Sequence, residues 1–288
     1  MVRNLARVTR RVRFPGRQAL LHKLFPPERF QSNRLEEITS YDGNLHICCD
    51  LASYIEWNIY LRGSYDLGIA TVIKELVRPG MRVVDVGANV GAYTLLMAKR
   101  VGAQGRVATF EPNPEVYERL VANLRLNSFE ERVELFHCAL SSDSGTATLH
   151  LPRNDYSHRG IASLVHYSDA QEASIEVPLM RLDDALAKWD RVDLMKVDTD
   201  GDDYGVLMGA KKLIERNQPT VLFEFERDSW PDADARMAQL QHWLGGLGYR
   251  LYWIGGSLRT LRAVYGEVPN GNVAAIPEKS GQDSRWKR

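Results

Sequence analysis

Cysteine is scarce in this sequence. Cys48, Cys49 and Cys138 are the only three, and adjacent Cys48 and Cys49 would point to opposite faces of a strand, which argues against a disulfide framework and for a reducing, cytoplasmic compartment. Net charge is lacking too: 37 basic residues balance 37 acidic ones, so no global field draws the chain to nucleic acid or to an acidic surface. No apolar run reaches the length of a membrane span, because arginines break LARVTRRVRF and QALLHKLF is short. TRRVRF carries an arginine pair like that of an export signal, but no apolar stretch follows it, which argues against export. Internal repeats and low-complexity tracts are missing as well.

What is present is ordinary globular composition. Hydrophobic residues make up 44% of the 288, enough for a packed core in one large domain or two small ones. Charge is uneven only at the start, where no acid precedes Glu28 but Arg3, Arg7, Arg10, Arg11, Arg13, Arg17 and Lys23 do. Residues 1–34 are thus a basic arm. Leu5, Val8 and Val12 fall on one helical face of it, which leaves two readings open: a solvated or self-packed segment, or a weak anchor on an anionic membrane surface. Over residues 35–78, EEITSYDGNLHICCDL predicts a hairpin around an Asp-Gly turn, and LGIATVIKELV predicts a helix stopped by Pro79-Gly80.

From residue 79 to 277 a different rhythm holds. Strand RVVDV, helix AYTLLMAKRV, strand RVATFE, helix EVYERLVANLRLN and strand VELFHCAL alternate, which predicts an α/β chain with a parallel, doubly wound sheet. Residues 141–181 interrupt it with two stretches, SSDSGTATLHL and ASIEVPLMRL, that read as antiparallel strands inserted over one edge of a site. Alternation resumes with LDDALAKW, VDLMKVD, a helix over YGVLMGAKKLIERN, TVLFEFE and a helix over ADARMAQLQHWLGGLG. Strands YRLYWI and NVAAIP then close as a hairpin that makes the sheet edge mixed. The polar tail, residues 278–288, reads as disordered.

In such a sheet ligands bind beyond the carboxyl ends of the strands, beside the first one. VVDVGANVGAYT places Asp85, Gly87, Asn89 and Gly91 there. The spacing D-x-G-x-x-x-G lacks the middle glycine that admits a pyrophosphate, and a buried carboxylate at Asp85 calls for a cationic ligand rather than a phosphate. Glu111 ends the second strand in FEPNP, twenty residues after Gly91, where an acid holds both ribose hydroxyls. A positive centre and a ribose without pyrophosphate together describe S-adenosylmethionine.

VVDVGANVGAYT, FEPNP, LDDAL, KVDTDGDDYGVLMGA and TVLFEFE, in that order and spacing across residues 65–226, resemble the FkbM-type S-adenosylmethionine-dependent methyltransferases. The resemblance implies the Class I methyltransferase fold, a Rossmann-like sheet of seven strands, mixed because the last is antiparallel. Here it would carry an N-terminal extension and an antiparallel insertion after the third strand. It also implies an O-methyltransferase acting on a hydroxyl of a sugar or of a polyketide-type natural product. By the same resemblance Asp85, Gly87, Asn89 and Gly91 surround the methionine part of the donor, and Ala88, Tyr93 and Thr94 belong to the donor site. Glu111 and Pro112 serve the ribose, and Asn113 with Ala139, at the start of ALSSD, lies near adenine.

KVDTDGDD supplies a second cluster: Lys196, Asp198, Asp200, Asp202 and Asp203. The family pattern K-I-D-V-E-G-x-E has glutamates where Asp200 and Asp203 stand. Alcohol protons are hardly acidic at neutral pH, so methyl transfer to oxygen needs a base or a metal. Asp198 is the first choice for that base, with Lys196 tuning its charge and Glu224 closing the site from the next strand. Other readings stay open. Asp200 and Asp203 suit the first turn of the helix near Tyr204. Asp198 and Asp200 could ligate Mg or Ca, although Gly201 is misplaced for an EF-hand loop. His150, His158 or His166 could act as base, and Tyr54, Trp57, Tyr60 and Tyr65 could stack on an acceptor or belong to the core. A sugar-nucleotide glycosyltransferase using DTD as its metal site is the main rival, but it leaves Asp85 and Glu111 without a purpose. A nucleic-acid partner is not expected, because the Asn-Pro-Pro-Tyr type motif is absent from the fourth strand's end.

Overall fold

The computed structural model describes residues 16–26, 29, 36–152, 162–165, 172–255 and 261–280. Most of the basic arm, His158, His166 and the last eight residues of the tail lie outside the described residues. The chain begins with α1 (Arg17–Leu24), hairpin β1 (Glu36–Tyr41) and β2 (Leu45–Asp50), α2 (Tyr54–Arg62) and α3 (Leu67–Leu76). Then come β3 (Arg82–Val86), α4 (Ala92–Val101), β4 (Arg106–Phe110), α5 (Pro114–Arg125), β5 (Val133–Phe136), β6 (Ala139–Leu140), β7 (Gly145–Pro152) and β8 (Glu172–Met180). The remainder is α6 (Leu182–Ala185), β9 (Leu194–Val197), α7 (Asp203–Gly209), α8 (Lys211–Asn217), β10 (Thr220–Phe225), α9 (Ala233–Gly246), β11 (Tyr249–Ile254), β12 (Leu261–Ala263) and β13 (Gly271–Pro277).

The large sheet has the order β12-β11-β13-β10-β9-β3-β4-β5. Strands β10, β9, β3, β4 and β5 are parallel, and β13 runs antiparallel between β10 and β11. Apart from β12 this is the Class I methyltransferase arrangement, with β3 as its first strand. Eight strands, rather than the expected seven, form the sheet. The extra one is LRA in the terminal loop, which folds back on the free edge of β11.

Both faces of the sheet are buried, and successive residues show it. Val83, Leu194 and Leu222 enter one apolar layer with Ile73, Leu95 and Leu120, while Val84, Met195 and Phe223 enter the other with Val206, Leu213 and Leu240. That two-sided burial is why the central strands read as continuous apolar runs. Helix α2 is held to α5 through the Arg119 to Glu56 ion pair. Asn123 of α5 ties hairpin and sheet together: its Oδ1 accepts from the Cys48 N–H at 2.8 Å and its Nδ2 donates to the Val90 carbonyl at 2.8 Å.

Local structure departs from the sequence reading, or adds to it, in four places. VELFHCAL is two strands, and β6 leaves the large sheet to pair with β8 in a second, three-stranded sheet whose β7–β8 pair is the antiparallel insertion. YGVLMGAKKLIERN is two helices broken at Ala210, where Gly209 packs so closely on Ser141 that a Cβ would sit 2.1 Å from its carbonyl oxygen. YIEWNIYLR, left without a helix of its own, is α2. LDDALAKW forms one helical turn, α6. All three cysteines are free, and among the described residues no helix is long and apolar enough to cross a membrane.

Candidate active site

Asp85 is wholly buried, and its charge is answered from within the chain. It sits directly across the β3–β9 ladder from Lys196 and across the β3–β4 ladder from Thr109. Thr94 of α4 donates to its Oδ2 at 2.6 Å, and the Lys196 ammonium lies 3.6 Å from its Oδ1. Burial raises the Asp85 pKa, and Lys196 and the Thr94 hydroxyl oppose that. The buried charge on Asp85 that suggested a cationic ligand is thus met by Lys196, and Asp85 and Thr94 do not themselves line the cavity. Burial works against the charge of Lys196 too, but Asp198, at 3.1 Å, and Asp85 outweigh it and raise its pKa. The ammonium also donates to the Gly87 carbonyl at 3.1 Å, pinning the loop after β3.

That loop turns on left-handed residues, with φ 68° at Gly87, 51° at Asn89 and 90° at Gly91. The Gly87 and Ala88 N–H groups donate to the Phe110 carbonyl, and the Asn89 N–H donates to Glu111 Oε2 at 2.9 Å. Glu111 Oε1 accepts from the Asn113 N–H, also at 2.9 Å. Each Glu111 oxygen thus keeps a lone pair for a further donor. Burial pushes its pKa up to about 7 against those two hydrogen bonds. Asn113 itself turns away: it caps α5 by accepting from the Glu115 N–H and does not line the cavity.

Beyond the loop lies a cavity of about 510 Å³. Gly87, Ala88, Asn89, Tyr93, Glu111, Pro112 and Ala139 line one side, but Gly91 does not. Instead Gly91 faces Leu120. Phe110, Cys138 and Leu140 add an apolar slot beside Glu111, of the character that suits a flat heterocycle.

The other side carries Lys196, Asp198, Asp200 and Glu224. One oxygen each from Asp198, Asp200 and Glu224 lies within 4.8 Å of the others, an oxygen set of the kind that hard divalent cations take. Asp203 is not a helix cap. Its carboxylate accepts from the Thr199 N–H and hydroxyl and from the Glu224 N–H, so it braces the end of β9 against β10. Asp200 sits at φ 51° with its carbonyl held by the Ser163 hydroxyl of the insertion at 2.6 Å. Burial, then repulsion by neighbouring acids, raises these groups: Asp203 to about 7, Glu224 to about 8, and Asp200 well above the ordinary carboxylate range.

These raised carboxyls make the stability of the ligand-free protein depend on pH. A carboxyl whose folded pKa is raised keeps its proton where the unfolded chain has lost it, so its contribution is full below the ordinary 4.5 and is lost as pH climbs to about 8. Thermal unfolding should show Glu224→Gln losing part of the wild-type fall in stability between pH 5 and 8, by at most about 1.4 kcal/mol per pH unit. Parallel curves for wild type and variant would contradict the raised pKa.

Sequence reasoning missed most of the roof. Asn58 and Arg62 of α2, Asp66 before α3 and Asn272 of β13 all line the cavity. The available signal was Ser53-x-x-Glu56, a helix-start pattern: the Ser53 side chain accepts from the Glu56 N–H and begins α2. Of the aromatic candidates, Tyr54 and Tyr65 reach the cavity, whereas Trp57 and Tyr60 are buried in the core. His150 does not line the cavity.

Several known proteins resemble this chain over part or most of its length. Methyltransferase sdnD of Sordaria araneosa is 32% identical over 155 residues, 44% of this chain and 60% of that protein, so the chain spans less than two thirds of that relative. A methyltransferase FkbM from Methylobacillus flagellatus KT has a TM-score of 0.47 at 14% identity, over 90% of this chain and 60% of its own. A fibrillarin from Aeropyrum pernix, solved with natively bound S-adenosyl-L-methionine, has a TM-score of 0.44 at 14% identity, covering 84% and 82%. The methyltransferase FkbM domain matches residues 85–251, from Asp85 in the first strand of the sheet to Leu251 in β11. That span takes in Glu111 and the whole Lys196 to Glu224 cluster and removes the ground for a glycosyltransferase built on Asp198 and Asp200. More than half of the sequence is covered, and the chain belongs to the methyltransferase FkbM family.

Proposed function

We propose that the protein is an S-adenosylmethionine-dependent O-methyltransferase whose acceptor is a hydroxyl of a sugar or of a polyketide-type natural product. The observation that carries the reading is Glu111: a buried carboxylate on the cavity wall, each oxygen used once, beside an apolar slot. Two lone pairs so placed fit the two hydroxyls of a ribose, and the slot formed by Phe110, Cys138 and Leu140 fits adenine. Bound there, S-adenosylmethionine would supply a sulfonium-activated methyl group for transfer to an acceptor oxygen.

The chain's own residues would do the rest. The Gly87 to Asn89 loop would hold the methionine end of the donor, and Ala139 would border the adenine. Asp198, held by Lys196 at 3.1 Å, would accept the hydroxyl proton as the oxygen bonds to carbon. Burial and repulsion between acids raise the proton affinity of its neighbours Asp200 and Glu224. The same three carboxylates would suit a magnesium ion, and a chelator that abolishes turnover would assign the acceptor's activation to such an ion. Tyr54 and Tyr65, whose rings meet edge to face at 6.4 Å, offer a stacking surface for an acceptor.

The test is isothermal titration with S-adenosylhomocysteine. The intact protein should bind with micromolar affinity, and Glu111→Ala should weaken that by about tenfold or more, the loss expected for charge-assisted hydrogen bonds. A folded wild-type protein that takes up no S-adenosylhomocysteine would sink the reading.

A further inference from the structure

Arg62 is a cation in the cavity wall that the methyl-transfer reading leaves unused. Tyr54, Asn58 and Arg62 stand four residues apart on α2, so they share one helical face, and all three line the cavity. They hold one another in a ladder. The buried Asn58 amide donates from Nδ2 to the Tyr54 carbonyl at 2.8 Å and accepts from Arg62 Nη1 at 2.7 Å. One edge of the guanidinium is thereby fixed.

The rest of it has no match. Arg62 Nε is buried without an acceptor, and among the described residues Asn58 Oδ1 is the one hydrogen-bond partner of the guanidinium. The other cations buried around the site are answered by acids: Lys196 by Asp85 and Asp198, and Arg119 by Glu56. Arg62 as a whole is half-buried, and a partly desolvated guanidinium without a counter-ion still carries a cost. Its planar fork matches two oxygens of a carboxylate or phosphate. The helix that carries it is anchored, because Glu56 on the same helix takes both the Arg119 ion pair and the Asp50 N–H at 2.7 Å. Arg62 is therefore a charge held in place on a fixed wall, as a recognition residue requires.

We propose that Arg62 is the oxyanion-binding residue of this cavity, receiving a carboxylate or phosphate group of a molecule seated there. The inference rests on the methyltransferase reading only for the source of that group: the amino-acid carboxylate of the donor, or an acidic group on the acceptor. In the second case the acceptor class narrows to acidic sugars, phosphorylated compounds or carboxylic acids.

The experiment titrates wild type, Arg62→Gln and Arg62→Lys with S-adenosylhomocysteine and with 5′-methylthioadenosine, which keeps the nucleoside and lacks the amino acid. Glucuronate, glucose and inorganic phosphate are titrated with and without S-adenosylhomocysteine, and thermal unfolding checks that each variant folds. If the donor is the source, Arg62→Gln weakens S-adenosylhomocysteine by about tenfold or more and leaves methylthioadenosine unchanged. If the acceptor is the source, S-adenosylhomocysteine is unaffected, while glucuronate or phosphate binding is lost in Arg62→Gln and glucose does not distinguish the proteins. Arg62→Lys, a charge without the fork, falls between. Wild-type and Arg62→Gln proteins that behave alike towards all five compounds overturn the proposal. Failure of wild type to bind S-adenosylhomocysteine, with glucuronate or phosphate binding still dependent on Arg62, would sink the methyl-transfer reading and leave this one standing.

Discussion

Gly87→Ala is expected to lower stability by about 3 kcal/mol or more, or to prevent folding altogether. Two effects add. Position 87 has φ 68°, where a side chain is strained, and a Cβ built there would lie 1.8 Å from the Asp198 carbonyl oxygen and 2.9 Å from its carbon. Those are backbone atoms at the end of β9 and cannot rotate aside. Gly91→Ala is the internal control. It also has positive φ, but its Cβ would meet the tip of the Leu120 side chain, 2.6 Å away, which can shift. Urea unfolding should therefore rank Gly87→Ala well below Gly91→Ala. A Gly87→Ala protein within about 1 kcal/mol of wild type, the size of an ordinary substitution, would contradict the contact between the two loops. The glycine that sequence reading assigned to ligand approach is, in the fold, where the first and fourth parallel strands of the sheet touch.

Local pattern made much of the architecture legible. Strands buried on both faces leave apolar runs, and the strand-helix alternation on either side of the 141–181 insertion follows directly from them. VVDVGANVGAYT and FEPNP are enough to put Gly87, Asn89 and Glu111 on one cavity, where all three are found. What escaped was long-range or short. Lys196 faces Asp85 across neighbouring strands that are far apart in sequence, and no local spacing reveals a ladder register. β12 spans three residues, too few to show a period. Asp203 looked like a helix-start acid because its neighbours in sequence are helical, but its three hydrogen bonds go to Thr199 and Glu224. Asn113 carries the opposite lesson: beside Pro114 it has the sequence signature of a cap, and that is the role it plays.

Lys196→Met should cost about 3–5 kcal/mol, because it leaves Asp85 charged or freshly protonated in a site with no access to water. Asp85 is wholly buried and Lys196 nearly so, and Asp85 Oδ1 already lacks a hydrogen bond. Removing the ammonium strips its one charge partner. Asp85→Asn alone should be milder, since Lys196 retains Asp198 at 3.1 Å and the Gly87 carbonyl at 3.1 Å. The double variant, Asp85→Asn with Lys196→Met, should recover much of the single Lys196 loss, and the double-mutant cycle measured by urea unfolding reads the coupling directly. Losses that simply add would show that the two groups do not interact across the ladder. The same double variant separates scaffold from binding site. Asp85 does not line the cavity, so a folded double variant that still binds S-adenosylhomocysteine makes the Asp85 to Lys196 pair a support for the loop above it. Loss of binding with the fold intact would mean that the donor senses this buried charge pair through the Gly87 carbonyl that Lys196 holds.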